Sequence, residues 1–536
     1  MSKEWTMKKF MEGAVLLTFA AIVVKILSAV YRVPFQNMVG DKGFYIYQQV
    51  YPFIGVFVVW TSYGFAVSIS KLLAESQSQK ERAAILHVSF LFLCLLSVSF
   101  FVALFFGAEQ LASFMGDRNL QPLLRVSAFV ALCMPLLAIL KADFQAKGNM
   151  APIAYGQVVE QLVRVVFILS GTYFVIQSGK SLYTAGTFAV GGALVGEIAG
   201  IILLILFVGM KSWKWNTLFA VRTYNWSILK RLLFLSISIS FSSLVILFFQ
   251  LIDSFTILRY LIASGLEQAL AMESKGIYDR GQPIVQMGIL LATTLSLSIV
   301  PLVAHASRRD VKRSADTFIQ LAMKVAILFG VASSLGLMLI IPYANEMLFE
   351  TNEGSAVLFI FVGQIIPLSI ILPLTSVLQG RGKVGVPILL FVVGIVAKWI
   401  GNVLLLPNFG VMGAALASNG AFLLIAILLY VYYRRSWNTA FAGKKFYVTL
   451  ALASILMSIV VITWELLGDY WLFDGLPNRL QATLVALSSV AFGAVVFMLV
   501  VMKSKIMKEK EWYLIPYGRR IAKAQLWLSK KKGTVG

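Results

Sequence analysis

The chain of 536 residues is 59% hydrophobic and only 13% charged, whereas soluble domains sit near about 45–50% and about 25%, so a water-soluble globular fold is excluded. Its apolar residues gather into runs of roughly twenty, long enough to cross a hydrocarbon core of about 30 Å as helices, whereas a membrane barrel would need alternating strands of about ten residues. The formal charge of +22 does not mark a nucleic-acid partner, because the cations sit in short loops and one tail as topology signals and no soluble segment is large enough for a basic groove.

From the N-terminus, the apolar run after Met1 to Lys9 reads as an uncleaved spanning helix. Lys25 interrupts it, no small-x-small cleavage site follows, and Arg32-Val33-Pro34 comes next. Apolar runs read against breakers predict an all-α integral membrane protein with about fourteen spans, centred near residues 24, 60, 95, 134, 164, 196, 243, 292, 330, 367, 397, 422, 456 and 490. With the N-terminus cytoplasmic, alternate loops carry Lys71, Lys80 and Arg82; Lys141 and Lys147; Lys211, Lys214, Arg222, Lys230 and Arg231; Arg308, Arg309, Lys312 and Arg313; Arg381 and Lys383; and Arg434, Arg435, Lys444 and Lys445. The opposite loops hold Lys42, Arg118, Lys180, Arg259, Lys275, Arg280 and Arg479 beside acids such as Glu346, Glu350, Glu353, Asp469 and Asp474. A missed span would break this alternation, so both termini are expected in the cytoplasm.

Charges inside spans carry the functional signal, since a Lys or Arg near a helix centre costs about 2.5–3.5 kcal/mol on the lenient insertion scale. In the first span Lys25 lies near mid-membrane and Arg32 seven residues on, on the same helical face and roughly 10 Å along the axis, so both can line one aqueous cavity; the alternatives are a structural pair of Lys25 with a distant acid and an Arg32 that snorkels to the interface from the outer end of the span. On the fifth span Glu160 and Arg164 stand one turn apart and can neutralise each other. Arg280, in Tyr278-Asp279-Arg280-Gly281-Gln282-Pro283 at the start of the eighth span, either caps the same cavity or pairs locally with Asp279. Asp253, Glu197, Lys324 and Lys398 have no partner evident in the sequence and belong to a transport pathway or to helix packing. Lys and Arg in a cavity suit phosphate, pyrophosphate or uronic acid, whereas a cation-coupled exporter needs a buried carboxylate, so an anionic cargo is favoured.

Two cytoplasmic turns look alike. Phe144-Gln145-Ala146-Lys147-Gly148-Asn149 precedes Pro152, and Leu378-Gln379-Gly380-Arg381-Gly382-Lys383 precedes Pro387, each placing Gln at a helix end, Gly in the turn and Pro opening the next span. Their offset of about six spans fits two homologous halves, as in many secondary transporters. The expected organisation is a six-helix lobe over 1–210, a second over 211–435, a helix pair over 436–504 and a tail over 505–536. That tail interleaves Lys505, Lys508, Lys510, Arg519, Arg520, Lys523 and Lys530 to Lys532 with Trp512, Tyr513, Tyr517 and Trp527. Such a mixture suits an anionic cytoplasmic leaflet, where each cation is worth about 1 kcal/mol. Cys94 and Cys133 lie in apolar runs, and His87 and His305 near helix ends without neighbouring ligands, so no disulfide, metal site or cofactor is expected.

At these residues the chain resembles the multidrug/oligosaccharidyl-lipid/polysaccharide flippase superfamily, and within it the polysaccharide-transporter branch that contains stage V sporulation protein B and the lipid II flippase MurJ. The matching segments are Lys25-Ile26-Leu27-Ser28-Ala29-Val30-Tyr31-Arg32-Val33-Pro34, Tyr63-Gly64-Phe65 through Ser70-Lys71, Phe144-Gln145 with Gly148-Asn149-Met150, Gln157 with Glu160-Gln161 and Arg164, and Ile277 to Pro283. The resemblance implies two six-helix lobes around a cationic cavity, a final helix pair forming a lipid-facing groove, and alternating access. It also implies that Lys25, Arg32 and Arg280 hold the diphosphate or acidic sugars of a polyprenyl-linked saccharide. The arginine that some lipid II flippases carry in the second span has no counterpart between Val56 and Trp60, which leaves other lipid-linked glycans open. The competing expectations are a cation-coupled drug antiporter of the same superfamily, working through Asp253 or Glu197, and a membrane scaffold recruiting envelope-synthesis or sporulation proteins through its tail. A membrane glycosyltransferase would need a larger extramembrane loop, so a non-enzyme is expected.

Overall fold

The computed structural model describes residues 3–209, 225–297, 312–437, 440–514 and 518–530. His305, Lys211, Lys214, Arg222, Arg308, Arg309, Tyr517, Lys531 and Lys532 lie outside the described residues. Among those described there is no strand. Among the described residues eleven helices are long and apolar enough to cross a membrane, and each predicted span centre falls inside a helix. The protein is a multi-span helical membrane protein. Its outer faces agree with that: Leu95, Phe106 and Phe174 are each about two-thirds exposed, a surface that lipid accepts and water does not.

Packing divides the chain into two compact units, Met1–Asp279 and Arg280–Gly536. The first unit contains α1 (Lys3–Val30), α2 (Arg32–Val59), α3 (Ala66–Glu75), α4 (Gln79–Phe106), α5 (Ala108–Phe114), α6 (Gln121–Ala146), α7 (Ala151–Gln177), α8 (Leu182–Val208), α9 (Trp226–Ala263) and α10 (Gln268–Asp279). Within it α8 packs on α6 and α7, α1 on α7, and α2 on α8 and α10. Gly192, Gly196 and Gly200 give α8 a stripe of small residues at four-residue spacing, the device by which membrane helices approach closely without a hydrophobic driving force. A Cβ added at Gly196 would lie 2.6 Å from the Glu160 carbonyl oxygen. Gly196→Val is therefore expected to lower the thermal midpoint in detergent, by the equivalent of about 1–3 kcal/mol for overpacking; an unchanged midpoint would show that α7 and α8 are not held this tightly.

The second unit contains α11 (Gly281–Leu297), α12 (Lys312–Leu339), α13 (Ile341–Phe349), α14 (Ser355–Val362), α15 (Ile365–Gly380), α16 (Gly385–Trp437), α17 (Lys444–Leu467), α18 (Asn478–Ser504), α19 (Glu509–Trp512) and α20 (Gly518–Lys530). Here α12 packs on α11, α15 and α17, and α17 on α18. The 53-residue α16 is a hairpin. It turns at Gly410, whose φ of 55° is reached readily only without a Cβ. Its arms are close enough that a Cβ on Gly401 would meet that of Ala417 at 2.9 Å.

The two turns matched in sequence have the same backbone. In the first, the N–H groups of Lys147, Gly148 and Asn149 donate to the carbonyls of Asp143, Gln145 and Phe144; in the second, those of Arg381, Gly382 and Lys383 donate to Val377, Gln379 and Leu378. Gly148 and Gly382 have φ of 72° and 76°. Both are Schellman endings, with glycine at the left-handed position. The same sequence offset that relates Lys147 to Arg381 relates Arg82 to Asp316, and each half holds an ion pair there: Arg82 with Asp143 at 3.1 Å and Arg381 with Asp316 at 2.8 Å.

Candidate functional site

The first-span charges meet different surroundings. Lys25 is exposed on α1, with no hydrogen bond or ion pair among the described residues. Arg32 opens α2 immediately after Tyr31, where the helical hydrogen bonds continue from Tyr31 N–H to the Leu27 carbonyl at 3.1 Å. Its side chain is completely buried at 0% exposure. None of its three guanidinium nitrogens has a hydrogen-bond partner among the described residues. What surrounds it is aromatic: its guanidinium lies 4.5 Å from the centroid of Tyr51, and the hydroxyls of Tyr31 and Tyr47 are hydrogen-bonded at 2.8 Å. Phe35 packs edge-on to Tyr47 at 5.0 Å. Cation–π attraction offsets part of the burial cost but does not replace an anion.

Glu160 and Arg164 do pair, at 3.3 Å. Lys141, which the sequence reading assigns to a loop, is instead buried in α6, donating to Glu160 at 3.3 Å and to Ser62 at 2.9 Å. The reason is that its counter-charge stands on the neighbouring helix, a relation that loop counting does not see. Ser62 lies in a π-helical turn, Trp60–Phe65, that interrupts the second span. Glu197 on α8 is buried beside Lys141, Glu160 and Arg164. Two cations and two acids thus form one buried cluster.

At the far end of the first unit, the Asp253 carboxylate accepts from the Tyr278 hydroxyl at 2.7 Å. Asp279 receives the Lys275 ammonium on both oxygens, at 2.6 and 2.7 Å. Lys275 is buried in α10 and is not the loop charge that the sequence reading makes it. The i,i+4 spacing of Lys275 and Asp279 is a signal from which the pair was readable. Asp117, also unremarked in the sequence, accepts from Tyr183 at 2.8 Å and Tyr45 at 3.4 Å. Burial pushes its carboxyl above the usual carboxylate range, against the pull of these hydrogen bonds.

In the second unit Arg280 is buried. It donates to Asn345 Oδ1 at 3.1 Å and lies 5.3 Å from the Phe349 ring centroid. Asn345 in turn donates to the Glu353 carbonyl at 2.8 Å, which ties the arginine to the loop between α13 and α14. Lys398 donates to the Ala414 carbonyl across the α16 hairpin at 3.0 Å, and Lys324 pairs with Glu511 at 3.0 Å. Gln145 and Asn149 belong to the α6–α7 turn, with Asn149 exposed. Between α11 and α12 on one side and α17 and α18 on the other runs an apolar groove of 330 Å³, lined among others by Phe329, Gly336, Leu337, Met457, Gly493 and Met498.

The profile of the family described as "Polysaccharide biosynthesis protein" matches residues 10–307. The chain is 37% identical over 519 residues to the "Uncharacterized membrane protein YabM" of Bacillus subtilis (strain 168), covering 96% of each chain. It is 26% identical over 525 residues to the "Lipid II flippase MurJ" of the same organism, covering 91% of this chain and 94% of that one. Among solved structures it is similar to "Lipid II flippase MurJ, inward closed conformation", with a TM-score of 0.65 at 15% identity over 91% of this chain and 98% of that one.

Proposed function

The chain belongs to the polysaccharide biosynthesis protein family, and from that premise we propose that it is a flippase moving a polyprenyl-diphosphate-linked saccharide across a bacterial cytoplasmic membrane. It performs no covalent chemistry. It works by alternating access, with six-helix lobes over 1–210 and 211–435, a helix pair over 436–504 and both termini in the cytoplasm, where the basic tail faces anionic lipid. The observation that carries this reading is Arg32, a fully buried guanidinium without a hydrogen-bond partner inside a predicted membrane span.

An ion held that way is costly, and the cost is recovered when a diphosphate or uronate supplies the missing acceptors. Lys25 stands seven residues earlier and meets the anion first. Arg280 is positioned by Asn345 and Phe349 for the same class of ligand. The cluster of Lys141, Glu160, Arg164 and Glu197 holds its two cations against its own acids and serves to join α6, α7 and α8. Each residue acts by binding and orienting, and none needs to form a bond.

The test is translocation of fluorescent polyprenyl-diphosphate saccharides in proteoliposomes. Wild-type protein is expected to move them, and Lys25→Ala to reduce the rate at least tenfold at equal reconstituted protein. Transport that is indifferent to Lys25 would remove it from the site. Efflux of cationic dyes dependent on Glu197 or Asp253 would replace the flippase reading by the antiporter reading.

A further inference from the structure

Arg32 shares its surroundings with a second buried cation. α10 lies directly against α2, so close that a Cβ added at Gly276 would be 2.1 Å from the Asp41 carbonyl oxygen. On α10, Lys275 is 2% exposed and Asp279 3% exposed, and the charge of Arg32 reaches Asp279 from beyond ion-pair distance. Each cation also lies against a tyrosine, Arg32 at 4.5 Å from the Tyr51 ring centroid and Lys275 at 5.4 Å from that of Tyr278.

The charged and titratable groups around Asp279 are Lys275 and Tyr278 of α10, Asp253 of α9 and Arg32 of α2. Asp41, where α2 meets α10, accepts from Gln36 at 3.0 Å, and Asp253 accepts from Tyr278 at 2.7 Å. Asp279 is therefore within the field of two cations and gives both of its oxygens to one of them, Lys275, at 2.6 and 2.7 Å. An anion placed at Arg32 is repelled by the ionised Asp279 and attracted by Lys275, and burial strengthens both effects. One event answers both: a protonated Asp279 ceases to repel the anion and loosens its hold on the ammonium.

We propose that Lys275 is a second cation for the diphosphate, held on Asp279 until the cargo arrives: Arg32 takes one phosphate, the Lys275 ammonium leaves the Asp279 oxygens for the other, and Asp279 takes up one proton from solution. The charges then close. Each phosphate of a polyprenyl-diphosphate saccharide is a diester with one negative charge, so two phosphates meet two cations beside a neutral acid. An ionised Asp279 would instead leave excess negative charge out of water, at a cost of several kcal/mol. Lysine suits an exchange of partners, since its ammonium is a point charge on a flexible stem, whereas the guanidinium of Arg32 offers a fixed fork. The inference rests on the assignment of an anionic cargo to Arg32 and adds what selects a diphosphate over a monophosphate.

The experiment is equilibrium binding, to the full chain in detergent, of two lipids that differ by one phosphate: polyprenyl-diphosphate glucose and polyprenyl-phosphate glucose. Wild-type protein is expected to favour the diphosphate at least tenfold. Linkage gives the sign of the pH dependence, since a proton taken up on binding makes the diphosphate bind tighter as pH falls. The preference is expected to rise at least threefold from pH 8 to pH 6, and Asp279→Asn to remove that rise. Lys275→Met alone leaves Asp279 without its partner and is expected to melt lower. Lys275→Met with Asp279→Asn removes one charge of each sign and is expected to keep the fold, with the preference cut below threefold and the monophosphate still held at Arg32. An unchanged preference in that double variant, or a wild-type preference indifferent to pH, would overturn the exchange and leave Lys275 and Asp279 a structural pair. If wild-type protein translocates the diphosphate lipid without preferring it, the flippase stands and Lys275 leaves the site; if it binds neither lipid, both readings fall.

Discussion

An Arg32→Gln protein is expected to accumulate to the wild-type level, to melt no lower than wild type, and to lose translocation of an anionic lipid-linked saccharide by tenfold or more. The two halves of this result point in opposite directions for one physical reason. In the state described, Arg32 is fully buried and its three guanidinium nitrogens lack hydrogen-bond partners among the described residues, so its ionisation is offset by nearby tyrosines and by the Asp279 carboxylate beyond ion-pair distance. The effective penalty for an ion taken out of water remains several kcal/mol after relaxation. Glutamine keeps much of the length of the side chain, removes the charge, and relieves that penalty. A residue that costs stability where it stands is expected at a functional site, where local consistency gives way to binding. The same substitution removes the donors to the diphosphate, so function falls while folding does not. Thermal midpoint and transport rate, measured on one preparation, decide the matter. A large loss of stability would instead make Arg32 a structural residue, held by partners that form in another state.

Much of the architecture was legible because hydrophobic length is a direct physical requirement. Each span centre lies in a helix, and the two turns chosen for their Gln and Gly positions share one backbone geometry at Gly148 and Gly382. The pair of Glu160 and Arg164 was readable from its i,i+4 spacing. Depth was not. Lys141 and Lys275 were assigned to loops because a lysine near a helix end looks the same whether it snorkels to water or turns inward to a carboxylate. Distance in sequence hid the rest: Lys324 finds Glu511 across 187 positions, and no local pattern announces that. The tail showed its cations and aromatics in its composition, yet composition gives no rotation. Only the buried Trp512 and Gln525 determine which face of α20 is left exposed. In the candidate site, Arg32 stands out in the sequence as a cation near a span, but its setting among tyrosines is a property of packing alone.

The second large effect is expected at Glu160. It accepts from Lys141 and from Arg164, each at 3.3 Å, and both of those cations are buried. Glu160→Ala leaves two buried cations with Glu197 as the remaining carboxylate of the cluster, and removing one partner of a buried pair typically costs about 3–5 kcal/mol because the other charge stays uncompensated. The thermal midpoint is therefore expected to fall sharply, together with the yield of monodisperse protein. Gly200 packs against the Glu160 side chain, so the vacated volume adds to the loss. The charge argument has a more exacting check than the single variant. Glu160→Gln with Lys141→Met removes one charge of each sign and keeps the volume, and it is expected to regain most of the stability lost in Glu160→Gln alone, a coupling that measures the pair itself. If the double variant is as unstable as the single one, the two side chains are not balancing each other. If it is stable but no longer transports, the cluster has a role in moving the cargo or a coupling ion, and α6, α7 and α8 are more than the frame that holds Arg32.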